Sequence, residues 1–267
     1  MKLIKRFLIK LTANLIPFDW AILGARFLMV SQGIGFAVEV DDSGELKALK
    51  KVVTKKNPII FDVGGNIGHY SLAVLNMFRD AEVHTFEPSQ AHFEQLKSRL
   101  GQFQNRCTMN MFGLSDQPKG LILHKNAEIT GSATLCDKFA VVSELYCMEE
   151  QVSVKKGVDY LQEKGIEHID YLKIDVEGWE MPVLKGFENL FSEKSVDFVQ
   201  FEVTPHTMFR KECFWNFFDF FEAHDYRLCV IKPNGALRSI NKNDEIFNSF
   251  YPTNYLAMSS KVSPPIV

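Results

Sequence analysis

The stretch Phe61–Val74, "FDVGGNIGHYSLAV", carries three local signals in immediate succession. An apolar run closes around an acid, Asp62. A loop with Gly64, Gly65 and Gly68 follows. From there the apolar spacing becomes that of a helix. The residues before it, "PIIFDV" from Pro58, read as a short buried strand. A strand, a glycine loop and a helix in this order make the first half of a βαβ unit. In an open α/β sheet, ligands bind beyond the carboxyl ends of the strands, at the point where strand order reverses. The loop at 64–68 is therefore the first place to look for a site.

Working outward, the alternation continues. "AEVHTFEP" reads as a strand and "SQAHFEQLKSRL" as a helix, with Ser89 at its N-cap. "RCTMNMFGL" reads as a third strand. "IDYLKIDV" is a strand, "WEMPVLKGFENLF" a helix and "VDFVQFEV" a strand. "FWNFFDFFEAH" is a helix whose Phe214, Phe217, Phe218 and Phe221 share a core face. "YRLCVIKPNGALRSI" and "NYLAMSS" read as β. Such alternation gives a doubly wound, mainly parallel sheet covered on both faces. The division expected is an N-terminal extension over 1–57 and a main domain over 58–267. An irregular insertion, with a short β-excursion, lies around 118–154.

Composition narrows the function classes. The chain has 267 residues, 46% hydrophobic, and a formal net charge of −3, so no bulk basic field draws nucleic acid. Five scattered cysteines, with no CxxC pair, argue against a disulfide framework or a zinc site and fit a reducing cytoplasm. No metal motif is present, so no metal is expected, although Asp175, Glu177, Glu202 and His206 are of a kind that could hold a divalent cation. At the N-terminus, Leu3, Phe7, Leu11 and Leu15 repeat at helical spacing between Lys2, Lys5, Arg6 and Lys10. Two readings stand: a helix packed on the main domain, or a basic amphipathic helix peripheral to the inner face of an anionic membrane.

The loop itself reads DxGxNxG, not GxGxxG. Glycines admit a close backbone approach and positive φ, and the helix start beyond them suits an anionic group. Asp62, two residues before Gly64, is awkward beside a pyrophosphate but natural beside an ammonium. S-adenosylmethionine, with a carboxylate and an ammonium on one end, fits better than NAD. Glu87, at the end of the second strand, can take hydrogen bonds from both ribose hydroxyls. Around the third strand, Met111, Phe112 and Leu114 offer an apolar wall, and Asn110 or Ser115 a hydrogen bond.

The stretch "YLKIDVEGWEMPVLKG" holds the rarer chemistry. Alternation puts Tyr171, Lys173 and Asp175 on one face and Leu172, Ile174 and Val176 on the other. Polar groups in a central strand are costly unless paired or used. With Glu177, Glu202 and His206 they form a candidate site that binds a polar substrate and deprotonates it. Asp175 is the first choice for the base, then Glu177, then His206. Lys173 is expected to orient substrate or hold a carboxylate, and Glu202 to bind substrate.

Taken together, "FDVGGNIGHYSLAV", "HTFEPS", "GLSD", "GVDYLQEKGIEHIDYLKIDVEGWEMPVLKG" and "VDFVQFEV" resemble the FkbM family of S-adenosylmethionine-dependent methyltransferases. The resemblance runs from about Ile59 to Val203, and "KIDVEG" is its most specific part. It implies a class I methyltransferase, Rossmann-like sheet with a C-terminal antiparallel strand. It also implies methyl transfer to a hydroxyl of a sugar, glycan or small natural product. By position, Asp62, Gly64, Asn66, Gly68 and Glu87 would bind the cofactor, and Lys173, Asp175 and Glu177 would face the methyl. "EVTPH" departs from the family's usual ending of the fifth strand. Two rivals are a nicotinamide-dependent oxidoreductase on a similar sheet and a non-catalytic binding protein that keeps the fold.

Overall fold

The computed structural model describes all residues except 1, 36–41, 132, 138–145, 248–250 and 263–267. Two helices, α1 (Lys2–Leu15) and α2 (Phe18–Ser31), precede a third, α3 (Glu45–Val52). Then come β1 (Ile59–Val63), α4 (His69–Met77), β2 (Glu82–Phe86), α5 (Gln90–Leu100) and β3 (Cys107–Asn110). The expected third strand is split. Its second half, β4 (Gly113–Ser115), leaves the main sheet to join β5 (Lys119–Lys125) and β6 (Met148–Lys156) in a three-stranded sheet. The chain returns through α6 (Gly157–Lys164) to β7 (Ile169–Ile174). The helix expected over "WEMPVLKGFENLF" is two short ones, α7 (Glu180–Gly186) and α8 (Glu188–Glu193), broken at Phe187. Last come β8 (Val196–Val203), α9 (Pro205–Phe209), α10 (Phe214–Ala223), β9 (Tyr226–Ile231), β10 (Leu237–Ser239) and β11 (Thr253–Ser259).

The main sheet runs β10-β9-β11-β8-β7-β1-β2-β3. Strands β3, β2, β1, β7 and β8 are parallel, and β11 runs antiparallel between β8 and β9. This is the class I methyltransferase order with its reversed C-terminal strand; β10 is an added edge. Order reverses between β1 and β7, which places the switch point beside the glycine loop. One face packs Ile60, Tyr171 and Leu256 against α3, α4 and α5. The other packs Phe61, Leu172 and Phe201 against α6, α7, α8, α10 and the small sheet. Phe201 on β8 stacks on Phe217, Phe221 and Tyr255 at 5.3, 5.1 and 5.4 Å. Burying a phenylalanine this fully contributes about 1.5–3 kcal/mol, and it braces the strand that carries Glu202.

Residues 1–57 divide. Leu46, Ala48, Leu49 and Val52 of α3 are buried in the core. Phe7, Leu11 and Leu15 of α1 are 65%, 43% and 69% exposed, so the expected packing of that helix on the main domain does not occur. None of α2 is buried. No helix among the described residues is long and apolar enough to cross a membrane.

Candidate active site

The glycine loop is held shut by backbone geometry. Gly64 and Gly65 both donate their N–H to Phe86 O, at 3.0 and 2.9 Å. Gly64 has φ +86, and a Cβ there would lie 1.8 Å from Asp175 O. The loop after β1 therefore touches the turn after β7, and any side chain at 64 would force them apart. A cleft opens at this junction. Gly64, Asn66, Glu87, Asp175, Glu177 and Trp179 line it, with Leu114 from β4 and Thr130, Ala133 and Leu135 from the insertion. Segment 118–154 thus contributes a wall of the site, through residues in which the sequence shows no motif.

Glu87 follows β2 and reaches into the cleft. Its Oε2 accepts from Asn66 N at 2.9 Å and its Oε1 from Ser89 N at 2.8 Å. Burial pushes its carboxyl up to about 7, against the pull of those two N–H groups. Asn66 also donates from Nδ2 to Thr130 O at 3.2 Å, tying the loop to the insertion. Ser89 does stand at the N-cap of α5. Its hydroxyl donates instead to Glu150 Oε2 at 2.8 Å, while Glu150 Oε1 takes Gln90 N and Lys125 Nζ closes the group.

Asp62 lies elsewhere. Strand alternation puts it on the face of Ile60, under α4, where it is fully buried and does not line the cleft. Its Oδ2 accepts from Ser71 Oγ at 2.7 Å, and its Oδ1 is 3.6 Å from Lys173 Nζ. Asp62 and Lys173 are directly opposed in the β1–β7 register. Gly68 is the N-cap of α4, at φ +85. Ser115 is also behind the wall: its hydroxyl donates to Asp116 Oδ1 and accepts from Trp179 Nε1 at 3.1 Å. Asn110 is committed to Thr85 O and Tyr160. Met111 is exposed and Phe112 packs on Phe86 and Tyr160, which leaves Leu114 as the member of that group on the cleft.

Lys173, 3% exposed, is the hub of the second group. Its Nζ donates to Asp175 Oδ2 at 3.0 Å and stands 4.8 Å over the Tyr70 ring. Burial alone would lower its pKa, but Asp175, Asp62 and Glu45 outweigh burial and hold it above the ordinary lysine value. It is a permanent cation, not a base. Glu45 comes from α3. It accepts from Gln200 Nε2 at 2.5 Å and Asn254 Nδ2 at 3.3 Å, and Gln200 in turn accepts from Tyr171 and Tyr70. Nothing in the local pattern of "ELKALKKV" marks Glu45 as a site neighbour.

At the far side, Glu177 (φ +49) pairs with His206, Oε2 to Nδ1 at 3.0 Å. His206 also meets Tyr146 OH through Nε2 and Thr204 Oγ1 through Nδ1, both at 3.1 Å. Burial raises the Glu177 pKa while His206 opposes it. Glu180 caps the turn, taking Gly178 N and Val176 N on Oε1, and burial pushes it up to about 8. Glu202 ends β8, buried, and is raised well above the usual carboxylate range by burial first and by Asp175 and Glu177 next. It does not line the cleft. The structure thus gathers Lys173, Asp175, Glu177, Glu202 and His206 at one sheet edge, with Asp175 and Glu177 on the cleft.

A family model for the methyltransferase FkbM domain matches residues 62–228, more than half of the chain. The chain belongs to the FkbM methyltransferase family. Among curated methyltransferases, it is 29% identical over 158 residues to Methyltransferase sdnD of Sordaria araneosa, covering 49% of this chain and 61% of that one. It is 27% identical over 162 residues to 31-O-demethyl-FK506 methyltransferase FkbM of Streptomyces tacrolimicus, covering 52% and 62%. It is 26% identical over 151 residues to hexuronic acid methyltransferase AglP of Haloferax volcanii, covering 56% and 57%. The chain spans about three fifths of the length of these relatives.

Proposed function

We propose that the protein is an S-adenosylmethionine-dependent O-methyltransferase acting on a hydroxyl of a sugar, glycan or natural product. The observation that carries this reading is Glu87. Its two oxygens each take a single backbone N–H, which leaves lone pairs for a ribose diol at the cleft, one βαβ step beyond the glycine loop. Asn66 and the backbone at Gly64 would flank the same ligand. Asp62 acts on it through the loop and Lys173. Two relatives carry names that specify a hexuronic acid and 31-O-demethyl-FK506 as substrates, and these support an oxygen acceptor here.

When bound, the cofactor supplies a methyl on a sulfonium, so alignment with the acceptor oxygen does most of the work, about 7–11 kcal/mol. Asp175 takes the acceptor's proton. Its Oδ2 is held by Lys173, and among the described residues its Oδ1 takes no hydrogen bond. Glu177, fixed by His206, orients the acceptor. Glu202, its carboxyl raised by burial and by Asp175 and Glu177, lies behind them.

The state of Glu87 gives a pH test. Ribose hydroxyls bond to the charged carboxylate, so binding favours the deprotonated form. The free protein holds that carboxyl at about 7. Affinity for S-adenosylhomocysteine should therefore be full above pH 7 and fall about tenfold per unit below it. Calorimetry across that range checks this; Glu87→Gln should flatten the profile. A flat profile in the parent would show that Glu87 does not hold the ligand.

A further inference from the structure

Of the eighteen large apolar side chains exposed among the described residues, twelve lie between Ile4 and Leu28. We propose that α1 and α2 dock on an anionic lipid bilayer surface, α1 along the interface and α2 sunk into it.

The charge pattern selects this occupant. In α1, Ile4, Phe7, Leu11 and Leu15 fall on one face, and Lys5, Arg6 and Lys10 lie off it. The first acid in the chain is Asp19, so α1 is purely cationic. A basic face beside an apolar one is the form that lies in an anionic interface. In α2 apolar groups occupy two opposite sides, and Asp19 and Arg26 share the narrow edge between them. At 3.6 residues per turn, Phe18 and Ile22 fall on one side and Trp20, Leu23 and Phe27 on the opposite side. Phe18, Trp20 and Phe27 are 78%, 70% and 73% exposed. A seam with a second copy would need one stripe; the interface takes both apolar sides, with the Asp19 and Arg26 edge turned to the headgroups. Trp20 has the amphipathic ring that favours the headgroup level.

The segment is tied to the sheet edge that carries the site. Gly33, at φ +83, lies so close to β9 that a Cβ would be 2.1 Å from Ile231 O. Gly35 N donates to Pro252 O at 3.0 Å, just before β11. Ile231 ends β9, and Thr253 pairs with Val203 at the end of β8, so both ties fall at the carboxyl edge. A bilayer bound through α1 and α2 is thereby tethered at the edge of Glu177 and Glu202.

Flotation of the full chain with phosphatidylcholine vesicles, with and without phosphatidylserine, tests this independently of any methyl transfer. The expected result is binding to the anionic vesicles that weakens as salt rises. Lys5→Gln, Arg6→Gln and Lys10→Gln together should lower the affinity on the order of a hundredfold. Leu23→Ser with Phe27→Ser should abolish binding at any salt. Both variants should melt with the parent, since these side chains are exposed. A chain that stays with the buffer would overturn the proposal. So would binding indifferent to lipid charge and to the triple variant, or a dimer in sedimentation velocity that disappears with Leu23→Ser and Phe27→Ser while vesicles are ignored.

Discussion

Asp175→Asn is expected to lower single-turnover methyl transfer by about 10²–10⁴-fold, the span of a lost general base. The substitution keeps size and one acceptor oxygen but removes proton acceptance. Lys173 still has a partner, and the cofactor end of the cleft, formed by Gly64, Asn66 and Glu87, is untouched. Affinity for S-adenosylhomocysteine should stay near the parent's. A structural Asp175 would give a different pattern: a lower melting temperature with activity lost in proportion. Measuring melting, affinity and rate on the one variant separates these. Full activity at neutral pH would move the base to Glu177 or His206.

Lys173→Met should cost about 3–5 kcal/mol of stability, because it leaves buried carboxylates uncompensated. Asp62 is fully buried and faces Lys173 across the β1–β7 register. Among the described residues its Oδ1 has no hydrogen-bond partner, and Lys173 Nζ lies 3.6 Å away. Glu45 adds a third carboxyl to the same surroundings. The melting temperature should fall by about 10 °C. Adding Asp62→Asn should restore part of the loss, because the orphaned charge is gone; neighbours in one ion network couple by about 0.5–3 kcal/mol. A single variant that melts with the parent, or a double variant no better than the single, would remove Lys173 from its place as the hub.

Much of this was legible in the sequence, and the limit is physical. The strands at 59–63, 82–86 and 169–174 declare themselves because period and flanking loops are local signals. So does the alternation that sets Lys173 apart from Leu172. Partners are another matter. "RCTMNMFGL" reads as one strand, but Gly113 pairs with Val154, a contact made far along the chain. "WEMPVLKGFENLF" reads as one helix, but it breaks at Phe187, just after Gly186 packs against Ser115 O from the far-off β4. Asp62 and Ser115 are the right residue types beside a cleft, yet register and burial turn both away from it. Glu45 reaches Lys173 only through the docking of α3. In α1 the pattern announces a two-faced helix and says nothing of what the apolar face meets.

The most direct test is calorimetric titration of S-adenosylhomocysteine, and separately of NAD, into the parent protein and Glu87→Ala at pH 8. One site in the micromolar range, about −8 kcal/mol, is expected for S-adenosylhomocysteine in the parent. Glu87→Ala should weaken it by at least about tenfold, since each charge-assisted bond to the ribose is worth about 1.5–3 kcal/mol. NAD should give no heat. NAD binding without S-adenosylhomocysteine binding, or a Glu87→Ala variant that binds like the parent, would contradict the assignment.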